Sequence, residues 1–192
     1  MRVLVVSEGK HEQAGALENL LRRLGGSQVV LDVDRVCNDR IHAVHGKGGR
    51  LFKRALRWLM EAEKRGVHAL ILLIDEDGQR ERCEQIQRAQ ESTSRQLPRA
   101  MGVAIRTFDA WMLADARALT DVLGCTVGTR PDPETIRDPK GVCAGLLASG
   151  QSQMAQSEMY ARIAHQIDIA VLSSRCQRGF GPFAGYVRQL FE

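Results

Sequence analysis

The chain has 192 residues, 44% of them hydrophobic, and a formal net charge of +4. That length fits one α/β domain with a small helical extension, and that apolar content excludes disorder. The longest apolar runs, such as 69–74, are too short to span a bilayer, so no membrane partner is expected. The weak positive charge permits phosphate binding without establishing it.

Residues 2–6 (RVLVV) read as a short buried strand, entered at once from Met1 with no apolar leader, which points to a cytoplasmic protein. After a turn at 7–10, Leu17, Leu20, Leu21 and Leu24 recur at helical spacing, predicting an amphipathic helix over 11–24 that Gly25 and Gly26 stop. Residues 28–36 read as a second strand, followed by a loop with His42, His45, Gly46, Gly48 and Gly49. Phe52, Ala55, Leu56 and Leu59 mark a second helix ending near Gly66. Residues 68–74 (HALILLI) carry the strongest strand signal, apolar on both faces like the centre of a parallel sheet, and Asp75-Glu76-Asp77-Gly78 ends it. A polar helix over 79–95, a fourth strand over 102–107 and a helix from 109 follow. This alternation predicts an α/β, Rossmann-like domain over 1–124, with a parallel four-stranded sheet flanked by helices. From 125 the chain is turn-rich to Lys140, and two or three helices follow. The stretch 125–192 therefore reads as a helical extension packed on the same domain, with Phe180, Phe183 and the earlier Trp111 in the core. Five scattered cysteines without a C-x-x-C pair read as reduced thiols and argue against a zinc ribbon.

In open parallel sheets, ligands bind outside the carboxyl ends of the strands. Glu8 follows the first strand, Asp75 and Asp77 the third, and Asp109 the fourth. Residues two apart in extended backbone point to one side, so Asp75 and Asp77 can reach one ion, with Gly78 turning the chain behind them. Mg²⁺ prefers oxygen ligands and uses one or two carboxylates with waters and substrate phosphate. Each residue also has a plainer role open to it. Asp75, Asp77 or Asp109 can cap the next helix, and Glu8 can favour a helix dipole. Their coincidence at one sheet edge favours a cation, because clustered carboxylates repel one another.

The segment Val5-Val6-Ser7-Glu8-Gly9-Lys10-His11-Glu12 resembles the opening "VEG-K/T-x-E/D" motif of TOPRIM domains, and Leu72 to Gly78 resembles their strand-borne D-x-D. The stretch Arg106 to Asp115 is similar to an "R-x-x-E-x-W-L-L-A-D" segment of small stand-alone bacterial TOPRIM-like proteins, which are related to the TOPRIM half of OLD-family nucleases. Asp138-Pro139-Lys140, Ser174, Phe180 and Phe183 resemble that group too, so the likeness runs over nearly the whole chain. The resemblance implies a TOPRIM fold and a metal-dependent enzyme that cuts or rejoins nucleic acid, DNA before RNA. It implies Mg²⁺ as cofactor, with Mn²⁺ able to substitute. Glu8 would be a metal ligand or acid/base group, Asp75 and Asp77 metal ligands, and Asp109 a second-metal ligand. Lys140 would meet the scissile phosphate, although Asp138-Pro139 also reads as an ordinary helix start. Two departures stand out: Asp109 falls where Glu is usual, and Ser7 where Val is usual.

Lys10, Lys47, Arg50 and Lys53 are the candidate nucleic-acid contacts. The Gly46–Arg50 segment opens a helix but lacks P-loop spacing, and a solvated basic helix face explains the same residues. His42 and His45 lack the further ligands of a zinc site, and His11 reads equally as a surface helix residue. Ser7 and Ser174 have no matched base, which argues against a serine hydrolase. A second functional reading is a non-catalytic or regulatory subunit: the resemblance to OLD-family nucleases, which join a TOPRIM domain to an ABC-type ATPase, implies a separate ATPase partner, and with no Walker motif in this chain any ATP hydrolysis would come from outside. Self-association fits either reading. A phospho-receiver fits poorly, since its acidic pair would lie closer to the first strand.

Overall fold

The computed structural model describes residues 1–38, 51–150 and 153–192. Strands β1 (Arg2–Ser7), β2 (Val30–Arg35), β3 (Ala69–Asp75) and β4 (Arg99–Ala104) form a parallel sheet in the order β2-β1-β3-β4. From β1 the chain moves to one edge to build β2, then crosses back to build β3 on the other side of β1. Connections leaving in opposite directions open a crevice at the carboxyl ends of β1 and β3.

Alternation along the strands sorts the core into two layers. Val3, Val5, Ala69, Ile71 and Leu73 face a layer built on Leu17, Leu20 and Leu21, while Leu4, Val6, Leu70, Leu72 and Ile74 face Ala55, Trp58, Leu59 and Ile86. The first layer belongs to α1 (Leu17–Leu21); the helix expected over 11–24 is broken ahead of it at Gly15 (φ 108°), and the chain leaves it through Gly25 (φ 123°). The second belongs to α2 (Leu51–Lys64) and α3 (Glu81–Gln90). Beyond β4 come α4 (Asp109–Met112), α5 (Ala116–Leu123), α6 (Pro139–Ser149), α7 (Gln156–Gln166), α8 (Ile169–Arg175) and α9 (Phe180–Phe191). The extension completes the α1 layer, with Tyr160, Ile163, Phe180, Phe183 and Val187 in the same apolar cluster as β1 and β3. Trp111 is fully buried against Phe180 and Phe183, at ring distances of 5.1 and 5.7 Å, as a core residue should be. No helix among the described residues is long and apolar enough to cross a membrane.

Several boundaries differ from the sequence expectation. Strand β4 begins at Arg99, not 102, because Arg99 pairs with Leu70, whose N–H donates to the Pro98 carbonyl. It ends by Ala104, ahead of a left-handed Arg106 at φ 63°. The single helix expected from 109 is two, because Asp115 accepts from the Arg117 and Ala118 N–H groups and starts α5 afresh. The polar helix is shorter than 79–95, and the described extension holds four helices, not two or three.

Candidate functional site

The β1–α1 connection is held over the sheet by Gln13, whose Nε2 donates to the Ser7 and Asp34 carbonyls at 3.1 and 3.2 Å, joining the ends of β1 and β2. This places Lys10, His11 and Glu12 above the end of β3. Together with Asp75, Phe108, Asp109, Lys140 and Tyr160 they line a cavity of about 220 Å³. A second cavity of about 310 Å³ is lined by Glu8, Val36, Cys37, Arg54 and Asp77, and shares Gly9, Asp75 and Lys140 with the first. The crevice at the strand ends therefore has two compartments with Asp75 between them.

Three buried carboxylates face the first compartment, and each is fixed by one oxygen. Asp75 Oδ1 accepts the Phe108 N–H at 2.7 Å. Glu12 Oε2 accepts the Gly9 N–H at 2.5 Å. Asp109 Oδ1 accepts the Tyr160 hydroxyl, which itself accepts from Gln156 Nε2 at 2.7 Å. Among the described residues the other oxygen of Asp75 and of Asp109 has no hydrogen bond, while Glu12 also lies beside the Ser7 hydroxyl. Residue 9 must be glycine for Glu12 to sit here, because a Cβ would lie 2.6 Å from Glu12 Oε1.

Burial, then the neighbouring Glu12 charge, pushes the Asp75 carboxyl up to about 8, against the pull of the Phe108 N–H. Burial likewise pushes Glu12 up to about 7, although the Gly9 N–H and the Ser7 hydroxyl favour its charged form. The Tyr160 phenol is raised, chiefly by burial, so it stays a donor to Asp109. Burial, then the Lys10 charge, lowers His11, against the pull of Asp109. Its Nδ1 is buried without a partner, and its ring stands edge-on to Tyr160 at 5.4 Å. Lys10, Arg54 and Lys140 make no ion pair among the described residues, and both lysines are exposed.

The second compartment has a different balance of charge. Arg82 lies against Glu8, with Nη2 donating to Oε1 at 2.9 Å and Nη1 to Oε2 at 3.1 Å. The same Nη1 reaches Asp77 Oδ2 at 3.2 Å and donates to the Asp75 carbonyl. Glu8 Oε2 also accepts the Asp75 N–H at 3.1 Å, tying the end of β1 to the end of β3.

Of the residues singled out from sequence, Glu8, Asp75, Asp77, Asp109 and Lys140 all lie at this crevice. They do not converge on one point. The extended geometry assumed for Asp75-Glu76-Asp77 fails at Asp77, which is left-handed at φ 50°, so Asp75 turns inward while Asp77 stays about half exposed beside Arg82. Asp109 does not cap its helix, and its carboxylate is held by Tyr160 instead. Asp138 does cap α6, its Oδ1 accepting the Gly141 N–H at 2.9 Å with Pro139 behind it. Lys140, on the same first turn, borders both compartments. Among the described residues no three His, Cys, Asp or Glu side chains are grouped to hold a metal ion as they stand. Lys10 is at the rim and Lys53 is exposed on α2, whereas His42, His45, Lys47 and Arg50 lie outside the described residues.

Sequence reasoning passed over Glu12, Arg82 and Tyr160. Glu12 lies inside the first motif, four residues after Glu8, and that spacing was its signal. Tyr160 carried only the weak cue of a phenol on an apolar helix face, and Arg82 none.

The chain belongs to the family described as Domain of unknown function (DUF4276), whose family model matches residues 7–187 and so spans every residue of both compartments. No curated protein and no solved structure matches it.

Proposed function

We propose that this DUF4276-family chain is a Mg²⁺-dependent phosphodiester enzyme of TOPRIM type acting on nucleic acid, with Mn²⁺ able to replace Mg²⁺. The observation that carries the reading is the state of Glu12, Asp75 and Asp109. These three buried carboxylates share one cavity, each with one oxygen held by the protein, and the second oxygens of Asp75 and Asp109 have no hydrogen-bond partner among the described residues. Burial, more than any neighbouring charge, raises Asp75 and Glu12, and a hard cation bound there would favour their charged forms.

The donor set fits such an ion: it is all oxygen, and Mg²⁺ needs only one or two direct carboxylates with water completing its shell. Asp75, with Glu12 or Asp109 beside it, would hold it. An ion so held would polarise a phosphoryl oxygen and lower the pKa of bound water. The remaining roles belong to the chain. Tyr160 keeps Asp109 oriented and Phe108 keeps Asp75 oriented. Lys140 and Lys10 offer charge to a phosphate at the rim of this compartment, and Arg54 offers it in the other. Contacts of this kind position a strand without reading its sequence.

The test is incubation of supercoiled plasmid, and separately of RNA, with the purified chain and Mg²⁺ or Mn²⁺, beside Asp75→Ala and Glu12→Ala. Cleavage by wild type alone is the expected result. Equal activity in all three proteins, or none with either metal, would remove catalysis by this chain alone. A second reading, as a subunit that acts only with a separate ATPase, is favoured by one observation: Arg82 engages both oxygens of Glu8, leaving that group unavailable as an acid or base. Recovery of a stoichiometric ATPase with the tagged chain, and metal-dependent cleavage only in its presence, would select it.

A further inference from the structure

Five carboxylates crowd the carboxyl edge of this sheet: Glu8, Glu12, Asp75, Asp77 and Asp109. One side chain divides them. Arg82 presents its planar fork to both oxygens of Glu8 and shares one nitrogen with Asp77 and the Asp75 carbonyl. It is only 14% exposed, so these contacts are partly shielded from water. A guanidinium keeps its charge at any accessible pH and matches a carboxylate through two parallel bonds, which a lysine head cannot do. The oxygens it occupies belong to the Glu8–Asp75–Asp77 trio that the sequence marks as a metal site. The oxygens it leaves free belong to Glu12, Asp75 and Asp109.

We infer that Arg82 is a resident counter-cation standing in the place of a second metal ion beside Glu8 and Asp77, so that the chain binds one divalent ion, in the Glu12–Asp75–Asp109 compartment. The inference rests on the metal-dependent reading proposed above. Its physical basis is competition for the same lone pairs. An ion entering the Glu8 side must first displace a guanidinium held by four donor contacts, whereas the carboxylates on the Glu12 side make no ion pair among the described residues. Arg82 also offsets one of the two negative charges of Glu8 and Asp77, which limits the repulsion that Asp75 feels from that direction. A purely structural Arg82, serving only to tie α3 to the sheet, would alter stability on removal but not the number of ions bound.

Mn²⁺ titration of the full chain by calorimetry, with free Mn²⁺ followed by electron paramagnetic resonance, separates these cases. Wild type is expected to bind one ion, Arg82→Lys one, and Arg82→Gln two, the second more weakly. Glu8→Gln is expected to keep the single ion with unchanged affinity, and it carries the test if Arg82→Gln does not fold. Two ions on wild type, or one on a folded Arg82→Gln, would overturn the inference while leaving the metal-dependent reading in place. Loss of the ion in Glu8→Gln would do the same. No ion on wild type would remove both.

Discussion

Replacing Asp75 by Asn removes one charge from the middle of the site and leaves its shape. The Asn Oδ1 can still accept the Phe108 N–H that Asp75 accepts at 2.7 Å. In the folded chain the Asp75 carboxyl titrates at about 8, against an ordinary value of 3.8. Between those values the folded state holds a proton that the unfolded state has released. Wild-type stability therefore falls as pH rises through this window, by about 1.4 kcal/mol per pH unit for one proton. The contribution is fully present below the unfolded value and is lost above the folded one. Asp75→Asn carries no such proton, so its stability relative to wild type should climb with pH. From about pH 5 to about pH 7 the gain is roughly 3 kcal/mol at most, because Glu12 titrates in the same cavity and takes up part of the change. Urea unfolding in chelator, followed by fluorescence of the buried Trp58 and Trp111, measures it. Added Mn²⁺ at alkaline pH should then stabilise wild type, by about 2.7 kcal/mol at a hundredfold excess over its Kd, and leave Asp75→Asn unmoved. Parallel stability–pH curves for the two proteins would refute the assignment of a trapped proton to this carboxylate.

Further substitutions test the frame that carries the site. Gly102→Ala places a Cβ 2.6 Å from Phe183 Cδ2, so the β4–α9 contact must open; a loss of about 1–3 kcal/mol by urea unfolding is expected. Asp138→Ala removes the cap of α6 and should cost about 1 kcal/mol in a thermal or urea melt. Because Lys140 rides on that first turn, the same variant should weaken binding of single-stranded DNA, measured by anisotropy, without changing Mn²⁺ affinity. Tyr160→Phe leaves Asp109 buried without its donor at a cost of about 1–3 kcal/mol. Added Mn²⁺ should recover more of that loss than it adds to wild type, which paired melts would report.

The sheet was legible because its signals are redundant. The run at 68–74 is apolar on both faces, a property only a central parallel strand needs, and it is β3, buried along its whole length. Likewise the leucines at 17, 20, 21 and 24 share one face because the strands beneath them offer one apolar layer. Boundaries were harder to read where a tertiary partner decides them. Arg99 enters β4 because Leu70 is already there to pair with it, and Asp115 splits a helix by bonding to α5 and to the Asp168 N–H, fifty-three residues away.

The site was legible in location and not in partition, and the reason is geometric. Strand ends are fixed by topology, so motifs at the ends of β1, β3 and β4 necessarily meet at one crevice once the sheet order is set. Which carboxylates share a compartment depends on single dihedral angles and on a side chain from elsewhere. The left-handed Asp77 parts it from Asp75, though the D-x-D spacing suggests a pair. The helical turn after Gly9 brings Glu12 over Asp75, and α7 delivers Tyr160 to Asp109 from the far end of the chain. Arg82, on α3, then engages the half of the edge that the motif names. The motif thus identifies the crevice, while the distribution of opposing charge marks the compartment whose carboxylates make no ion pair among the described residues. Asp75 belongs to both, and so its substitution is the one that both compartments should feel.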